Sequence, residues 1–419
     1  MKQSILATAL ALAAVAAVSS CQKSRAPEMA AAPAPAADAA ATATIAAKTA
    51  YTDLEQLAQR LVTQSAAIQE GEVVLIQGRA SDAELLENIA VNVRKAGGFP
   101  LVTYSSDRLS KRLFFDVPEK YDAQVDGVGS KLADIVDVNI TLGNATNENL
   151  FEGADPKRMA ARSKADEAVM QKFLRRVRTV EVGNNLYPTA WRAQRYAMSE
   201  DELARTFWNG VNIDYADLQT RGEQVKALVA AGREVHITNP NGTDLKVSVK
   251  GRPVLVSDGV VSAEDRKAGA TAASVYLPAG EVYTTPVAGS AEGKIVQSRT
   301  YYRGKEVNNL TLAISGGKVT ALTGEGPGFA DLKAEYDAID DARKNELSFV
   351  DFGINPNVKL PAASSIGTWV PAGSVTVGTG VNLWAGGDNS VGYGLVLSLP
   401  GSTVMLDGKP IIESGTLKL

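Results

Sequence analysis

The sequence predicts two folded parts, an α/β N-terminal domain with a parallel sheet and a β-rich α+β C-terminal domain. Short apolar runs alternate with helical patterns in the first half, and this order is typical of strands that pair in parallel. From residue 234 onward, extended runs and glycine-containing turns dominate instead. A chain of 419 residues that is 45% hydrophobic and 21% charged is long enough to bury a large core in each part.

The first 21 residues are predicted to be a lipoprotein signal peptide. Residues 5–18 form an apolar run that is too short to span a bilayer and is typical of a signal-peptide core. The run ends in Val-Ser-Ser before Cys21, which resembles the bacterial lipobox, so we expect lipid attachment at this cysteine. Cys21 is the only cysteine and has no disulfide partner in the chain; a plain secretory signal with an incidental thiol is the alternative. Gln22 in the next position favours, by analogy with such lipoproteins, a periplasm-facing anchor in the outer membrane of a bacterial envelope.

The predicted domain boundaries follow from composition. Residues 22–50 are rich in alanine and proline and contain few large apolar side chains, so we expect a tether that does not fold. The α/β domain is predicted over residues 51–205 and the β-rich domain over residues 206–419. With 43 Lys and Arg against 47 Asp and Glu, and no basic cluster interleaved with aromatic residues, the sequence does not predict binding to nucleic acid.

The helices and strands of the first half are predicted from periodicity and helix caps. Residues 73–76 read as a short buried strand. Ser81, with Glu84 three residues later, is typical of a capping box that opens a helix, and Ser199 with Glu202 predicts a second one. The turn after the first strand lacks the Gly-x-Gly-x-x-Gly pattern, so no dinucleotide site is predicted. Further strands are predicted at residues 101–104 and 135–140.

The second half is predicted to consist of strands and one clear helix. The helix covers residues 331–345, and an Asp-Gly turn at Asp407 predicts a closing hairpin over residues 403–412. The other extended runs are residues 234–237, 245–249, 275–284, 294–302, 310–314 and 319–322.

Glu281 is the most informative candidate site residue. It lies in residues 277–286, which read Leu-Pro-Ala-Gly-Glu-Val-Tyr-Thr-Thr-Pro, and a charge in this apolar setting is costly unless a cation meets it. The chain has a single histidine, His236, on a strand of alternating pattern well before Glu281, so a histidine-rich metal site is not available. The same shortage of histidine and cysteine argues against Cys-His or Ser-His-Asp catalysis.

Four segments resemble the metallo-aminopeptidase family typified by the thermophilic aminopeptidase T. They are residues 71–76 with the following helix, 197–202, 242–245, and 277–286 followed by 291–296. The resemblance runs from about residue 52 to the C-terminus. It implies a two-domain protein, usually a dimer, that removes N-terminal residues from peptides with a pair of divalent metals. In such a pair one cation polarises the scissile carbonyl, and the two together lower the pKa of a bridging water.

The family's metal ligands are two glutamates, two histidines and an aspartate, and the resemblance carries over only part of this set. Glu281 matches the first glutamate, and Glu346 stands where the second is expected. Thr376 takes the place of the first histidine, while Gly392 and Gly394 replace the second histidine and the aspartate. A tyrosine that family members can place seven residues after the first histidine is a leucine, at residue 383. The resemblance therefore predicts a depleted metal site.

Two hypotheses about function stay open. In the first, Glu281 and Glu346 combine with oxygen donors to hold a hard cation such as Mg²⁺, Ca²⁺ or Mn²⁺, and the protein is an aminopeptidase. In the second, no metal is bound and the protein is a non-catalytic peptide-binding or scaffolding lipoprotein. The predicted partners are a peptide and the membrane, and the resemblance implies a homodimer. The candidate oxygen donors are Asp351, Asp388, Asn389 and Tyr393, and a loop tip is the alternative for the Asp-Asn pair.

Overall fold

The computed structural model describes residues 51–147, 149–269 and 272–419. The predicted signal peptide, the tether and the lipidation site Cys21 lie outside these described residues.

A five-stranded parallel sheet forms the centre of the N-terminal part, which confirms the predicted α/β arrangement. Its strands are β1 (Val73–Arg79), β2 (Phe99–Ser105), β3 (Val138–Leu142), β4 (Arg178–Val182) and β8 (Val275–Leu277). Their order in the sheet is β2-β1-β3-β4-β8, and every neighbouring pair is parallel. The fifth strand comes from the second half of the sequence, so this sheet is completed only when the chain returns from the C-terminal part.

Over residues 51–231 as described, eight helices accompany the first four strands and lead into the second half. They are α1 (Leu54–Arg60), α2 (Ala83–Lys95), α3 (Asp107–Phe115), α4 (Gly127–Ile135), α5 (Pro156–Arg176), α6 (Ala190–Arg195), α7 (Glu200–Val211) and α8 (Tyr215–Ala231). The capping box at Ser199 and Glu202 is present and opens α7. The one predicted at Ser81 is wrong, because residues Ala80–Asp82 form a 3-10 turn before α2. The Asp82 carboxylate at this turn accepts hydrogen bonds from the Tyr187 hydroxyl, at 2.5 Å, and from Asn144.

Two antiparallel sheets dominate the C-terminal part, which confirms the prediction that it is rich in strands. The larger has the order β12-β11-β10-β6-β5-β16-β17-β18, and the smaller has the order β15-β14-β13-β9-β7. The strands of the larger sheet are β5 (Glu234–Asn239), β6 (Thr243–Ser248), β10 (Glu292–Tyr302), β11 (Lys305–Ser315), β12 (Lys318–Glu325), β16 (Thr403–Leu406), β17 (Lys409–Glu413) and β18 (Thr416–Leu417). Those of the smaller sheet are β7 (Val254–Ser257), β9 (Glu281–Thr284), β13 (Leu347–Gly353), β14 (Val375–Thr379) and β15 (Val396–Ser398).

In the described part of the second half, two α-helices lie among these strands, α9 (Ala263–Ala268) and α10 (Phe329–Ala338). The helix predicted over residues 331–345 is thus shorter than expected, and its last residues form a separate 3-10 turn, Ala342–Asn345. The predicted closing hairpin is present as β16 and β17, with Asp407 and Gly408 in the left-handed conformation that an Asp-Gly turn supplies.

The two parts share their hydrophobic core. One cluster of buried apolar side chains extends from Leu54 in α1 to Ile412 in β17. Within it the rings of Phe207 and Trp208 of α7 meet edge to face at 4.7 Å, and Tyr187 lies 5.3 Å from Phe207. None of the helices in the described ranges combines the length and the apolar character that crossing a bilayer requires.

Candidate functional site

One face of the smaller antiparallel sheet carries a row of polar side chains. Asp351 of β13 lies directly opposite Tyr283 of β9 on one side and Thr376 of β14 on the other. Thr376 in turn lies opposite Ser398 of β15, with 3.4 Å between the two hydroxyl oxygens. Residues directly opposite one another in an antiparallel sheet point to the same face, so these four side chains form one row.

Glu281 lies on the same face, at the first residue of β9. It is 4% exposed and lies opposite Ser257 on one neighbouring strand and Gly353 on the other. The Asn184 amide donates a hydrogen bond of 2.6 Å to the Glu281 carboxylate and a second, of 3.0 Å, to the Pro278 carbonyl. Asn184 belongs to the loop after β4 and has a φ of 37°, so the α/β part of the protein fixes this carboxylate from across the domain boundary.

Three further aromatic rings, those of Phe349, Trp369 and Trp384, lie beside the row, and no sequence pattern singled them out. The Trp384 ring lies 5.2 Å from Tyr283 and 4.8 Å from Phe349, while the Trp369 ring lies 5.3 Å from Phe349 and 5.8 Å from Trp384. All four residues are buried. A charged residue inside a completely buried strand, Asp351 in β13, is the sequence signal that points to this place.

Two tyrosines at this site have raised pKa values. Burial raises the pKa of the Tyr283 phenol well above its usual value, and the neighbouring Tyr276, Glu281 and Asp351 raise it further. Burial also raises the pKa of Tyr276, with Glu181 and Glu281 adding to the rise. Both phenols are therefore neutral at physiological pH.

Glu346 lies at the other end of the sheet and is not near Glu281. Glu281 is opposite Gly353, the last residue of β13, whereas Glu346 immediately precedes the first. A strand rises about 3.4 Å per residue, so the two ends of β13 are separated by about 20 Å. Glu346 is 39% exposed and contacts Lys318 at 3.9 Å and the Asn389 amide at 3.0 Å.

The other candidate donors are also distributed between separate places. Asn389 contacts Glu346, and its amide also donates to the Arg343 carbonyl, while Asp388 is exposed in the adjoining loop. Tyr393 packs against Tyr336 with 5.9 Å between ring centroids, and burial, followed by the effect of Glu335, raises the pKa of its phenol. Of all the oxygen donors considered, only Asp351 shares a face with Glu281.

The positions at which the resemblance expects the remaining ligands do not supply any strong donor. Thr376 offers a buried hydroxyl, and Gly392 and Gly394 have no side chain. His236 is remote, on β5 of the larger sheet, where its ring contacts Asp244 at 2.7 Å. Over the described ranges no three His, Cys, Asp or Glu side chains group closely enough to hold a metal ion. The residues present thus do not fit a pair of metals about 4 Å apart.

A large cleft of about 2150 Å³ lies between the two parts of the protein. Its α/β wall includes Arg79 and Arg195, and its β-rich wall includes Tyr301, Trp384 and Gly392. The guanidinium of Arg195 stacks between Trp191, at 4.7 Å, and Tyr301, at 4.3 Å, so residues from both parts meet here. Trp384 and Phe349 line this cleft, and the Trp384 ring also contacts Tyr283 of the row. Ser398, at one end of the row, lines the cleft as well, whereas Glu281 and Asp351 lie behind its wall.

Comparison with known proteins gives this fold a family. The family model for thermophilic metalloproteases (M29) matches residues 50–331. The structure of wild-type AmpT from Thermus thermophilus is similar, with a TM-score of 0.67 and 16% identity over 87% of this chain and 99% of that chain. The 2,5-dihydroxypyridine dioxygenase of Pseudomonas putida KT2440 is also similar, with a TM-score of 0.52 and 15% identity over 87% of this chain and 96% of the other. No curated protein sequence matches.

The match covers more than half of the chain and contains Glu281, but it ends before Glu346 and before residues 376–394. The solved structures share the fold. Together these findings confirm the aminopeptidase T-like resemblance, and the protein is metallopeptidase-like. This chain belongs to the thermophilic metalloprotease family M29.

Proposed function

We propose that this protein is a peptide-binding member of its family that no longer hydrolyses peptides with a two-metal centre. The observation that carries the proposal is the location of Glu281 and Glu346 at opposite ends of β13. A binuclear site requires ligands around two ions about 4 Å apart, and side chains whose strand positions differ by about 20 Å cannot provide them.

The inter-domain cleft supports the binding part of the proposal. Its volume of about 2150 Å³ is large enough for a peptide of several residues. Its walls combine aromatic rings, such as Tyr301 and Trp384, with charged groups, such as Arg79 and Arg195. Aromatic surfaces bind side chains of many kinds, and the charged groups orient the ligand. The cleft needs no metal for this role.

A test combines metal analysis with turnover. Purified full-length protein would be analysed for bound metal, and leucine anilide hydrolysis would be measured with added Zn²⁺, Co²⁺, Mn²⁺ and Mg²⁺. We expect substoichiometric metal and no saturable cleavage. Glu281→Gln and the exposed-site control Glu264→Gln would be assayed in parallel. Stoichiometric metal, with saturable cleavage that Glu281→Gln abolishes and Glu264→Gln preserves, would overturn the proposal.

The alternative is a hydrolase that uses one oxygen-ligated cation. The observation that favours it is the presence of two buried carboxylates, Glu281 and Asp351, on one face of the smaller sheet. Oxygen-only ligation suits Mg²⁺ or Mn²⁺ better than Zn²⁺. Turnover that appears only with these cations and disappears in Asp351→Asn would support this alternative.

We also propose that the protein is anchored in the bacterial envelope by a lipid on Cys21. The lipobox-like sequence that ends at this cysteine supports the proposal. Cell fractionation of the parent and of Cys21→Ser tests it, with metabolic labelling by a radioactive fatty acid as a second measurement. We expect the parent in the membrane fraction with label, and the variant without label. Equal labelling of the two proteins would contradict lipidation at Cys21.

A further inference from the structure

We propose that Arg79 and Arg192 form a binding site for a carboxylate at the carboxyl edge of the parallel sheet, and that its ligand is the C-terminal carboxylate of a short peptide in the inter-domain cleft. The inference rests on the proposed peptide-binding function and specifies an end of the peptide that the protein recognises. The site belongs to the α/β wall of the cleft and requires no metal.

The order of strands in the parallel sheet favours ligand binding at this place. The chain passes from β1 to β2 on one side of β1 and then crosses to β3 on the other side. In open α/β sheets, ligands bind in the crevice at the carboxyl ends of the strands where the strand order reverses in this way. Here the crevice opens into the inter-domain cleft, because the carboxyl ends of all three strands line it. The lining residues are 77–79, 103–105 and 141–145.

Arg79 and Arg192 meet at the segment that follows β3. Nη1 of Arg79 donates a hydrogen bond of 3.3 Å to the side-chain oxygen of Asn144. Nη2 of Arg192 donates to the Gly143 carbonyl and Nη1 donates to the Ala145 carbonyl, each at 3.4 Å. The two guanidinium groups therefore lie beside the same short segment, and both residues line the cleft.

Arg192 is a buried cation whose partners in the described ranges are neutral oxygens. It is 7% exposed. Besides the two carbonyls, Nη1 donates to the Tyr187 carbonyl at 3.1 Å and to the Thr189 hydroxyl at 3.4 Å. None of these bonds uses Nε, so the guanidinium keeps a donor for a ligand. A buried charge without a counter-charge in contact is costly, and a bound anion would remove that cost.

The electrostatics of Arg192 agree with this account. Burial lowers the pKa of Arg192 to about 10, and the positive charge of Arg79 lowers it further, whereas Tyr196 and Glu181 oppose the shift. The guanidinium therefore still carries its charge at pH 7. Glu181 also lines the cleft and acts on Arg192 from a distance.

Arg79 orients the ligand and adds little net charge to the site. Its Nε and Nη2 atoms lie 2.9 and 2.8 Å from the Asp107 carboxylate. This pair neutralises Arg79 and fixes its guanidinium at the end of β1, while N–H donors on Nη1 and Nη2 remain. Of the two arginines, Arg192 therefore supplies the uncompensated charge. One positive charge matches a carboxylate better than a phosphate monoester, which carries about −1.5 to −2 at pH 7.

An aromatic ring holds Arg192 in place. The guanidinium lies over the Trp191 ring, 4.3 Å from its centroid, and the indole N–H donates to the Ala145 carbonyl at 3.2 Å. A guanidinium whose face is covered in this way binds through its edge, which matches the two oxygens of a carboxylate. Trp191 also lines the cleft, so a ligand at Arg192 lies close to a fluorescent ring.

The experiment compares peptides that differ only in the charge at the C-terminus. Calorimetry on the full-length protein would use Ala-Leu-Ala and Ala-Leu-Ala amide, and acetate would serve as the carboxylate alone. We expect amidation to weaken binding by more than about tenfold, because it removes the negative charge that Arg192 meets. Tryptophan fluorescence provides an independent readout through Trp191.

Variants assign the effect to the two arginines. Arg192→Gln should weaken binding of Ala-Leu-Ala and of acetate by about tenfold and leave the affinity for the amide unchanged. Arg192→Lys keeps the charge but loses the planar edge, so it should retain only part of the preference for the free acid. Arg79→Gln, which should also reduce this preference, keeps the test available if Arg192→Gln does not fold, as judged by circular dichroism. The matched control is Arg108→Gln, an exposed site on α3, which should bind both peptides as the parent does.

The outcomes separate this inference from the proposed function. Equal affinity for the free and amidated peptides would show a peptide-binding cleft without a carboxylate site and would overturn the inference alone. An equal loss of both peptides in Arg192→Gln would also overturn it, because a purely structural role of the arginine explains such a loss. Binding of acetate that Arg192→Gln abolishes, without binding of any peptide, would support the carboxylate site and contradict the peptide-binding proposal. Absence of binding by both peptides and by acetate would reject both.

Inorganic phosphate distinguishes a peptide from a free anion as the ligand. We expect phosphate to compete with Ala-Leu-Ala only weakly, because it offers the cleft no side chains to bind. Phosphate that binds more tightly than Ala-Leu-Ala and depends on Arg192 would assign the site to a free anion and overturn the inference.

Discussion

Gly392 and Gly394 are two residues apart, yet the structure has room for a side chain only at Gly392. A Cβ atom on Gly392 would meet no atom of the described chain within 4 Å, whereas a Cβ on Gly394 would lie 2.8 Å from the Thr379 carbonyl oxygen. These are the positions at which the family resemblance places a histidine and an aspartate. A side chain at Gly394 would therefore require the end of β14 to move.

The first prediction compares alanine at the two glycines. Gly392→Ala should change the free energy of unfolding by no more than about 0.5 kcal/mol, because the new methyl group enters open space. Gly394→Ala should lower it by about 1–3 kcal/mol, because the methyl group overlaps a backbone carbonyl. Urea denaturation of both variants measures the difference. Equal free energies of unfolding for Gly392→Ala and Gly394→Ala would contradict the prediction, because they would show that β14 can shift at Thr379 without loss of stability.

The second prediction concerns Asn184, which joins the α/β part to Glu281. Asn184→Gly removes both side-chain hydrogen bonds while keeping a residue that tolerates the φ of 37°. We expect a loss of about 1–3 kcal/mol in the free energy of unfolding, since one of the bonds is to a carboxylate. Asn184→Ala should lose about 1 kcal/mol more, because its Cβ disfavours the left-handed conformation. The two variants form a matched pair in a urea titration, and identical losses would argue against left-handed strain at this residue.

The sequence was sufficient to predict those elements that depend on contacts between residues close together in the chain. The strand at residues 73–76, the capping box at Ser199 and the Asp407 turn all depend on contacts within a few positions. The separation of Glu281 from Glu346 cannot be predicted from local contacts, because it depends on the register between β9 and β13. A resemblance transfers residue types in order along the chain, and it does not transfer the register of strands.

The extended run predicted over residues 275–284 shows the same limitation. The structure divides it into β8, which joins the parallel sheet, and β9, which joins the smaller antiparallel sheet. Pro278 and Gly280 lie between the two strands. Because proline lacks the N–H that a sheet ladder needs, these residues are a local signal for the break between β8 and β9. The parallel pairing of β8 with β4 joins segments almost a hundred residues apart, and no local pattern predicts such a contact.

The third prediction concerns Asp122, whose side chain is 3% exposed and receives hydrogen bonds from Arg158 and Arg162. The Arg158 guanidinium holds the pKa of this carboxyl below its usual range against the opposing effect of burial, and Arg162 assists. A lowered pKa in the folded state means that the ion pair stabilises the protein fully above about pH 4 and that this contribution is lost as the pH falls further.

Asp122→Asn should therefore reduce the free energy of unfolding at pH 7 by about 3 kcal/mol, because it leaves two guanidinium groups without their carboxylate. Between pH 4 and pH 2, the free energy of unfolding of Asp122→Asn should also fall less than that of the parent. Arg112, in an exposed pair with Asp116, provides the control. Asp116→Asn should change stability by less than about 1 kcal/mol, and an equal loss in both variants would contradict a special role for the buried cluster.

The fourth prediction has the opposite dependence on pH and concerns Asp258, in the loop after β7. Burial raises the pKa of Asp258 to about 6, and Asp265 adds to the rise, while the hydrogen bond from the Val260 amide opposes it. The folded protein therefore binds this proton more tightly than the unfolded chain does. Below about pH 4, Asp258 is protonated in both the folded and the unfolded protein. Between about pH 4 and pH 6 it loses its proton only in the unfolded chain. The free energy of unfolding therefore falls as the pH rises through this range.

Asp258→Asn removes the titration and keeps an oxygen that accepts from the Val260 amide. The variant should match the parent near pH 4 and exceed its stability above pH 6 by about 1 kcal/mol, since partial exposure reduces the effect expected from the full pKa shift. Thermal unfolding of both proteins from pH 4 to pH 8 measures this difference, with Asp217→Asn as the exposed control. Because the effect arises from burying a carboxylate charge, the variant Asp258→Asn should become more stable than the parent only as the pH rises above about 4. A stability difference that stays constant across the whole range would place the effect in packing instead.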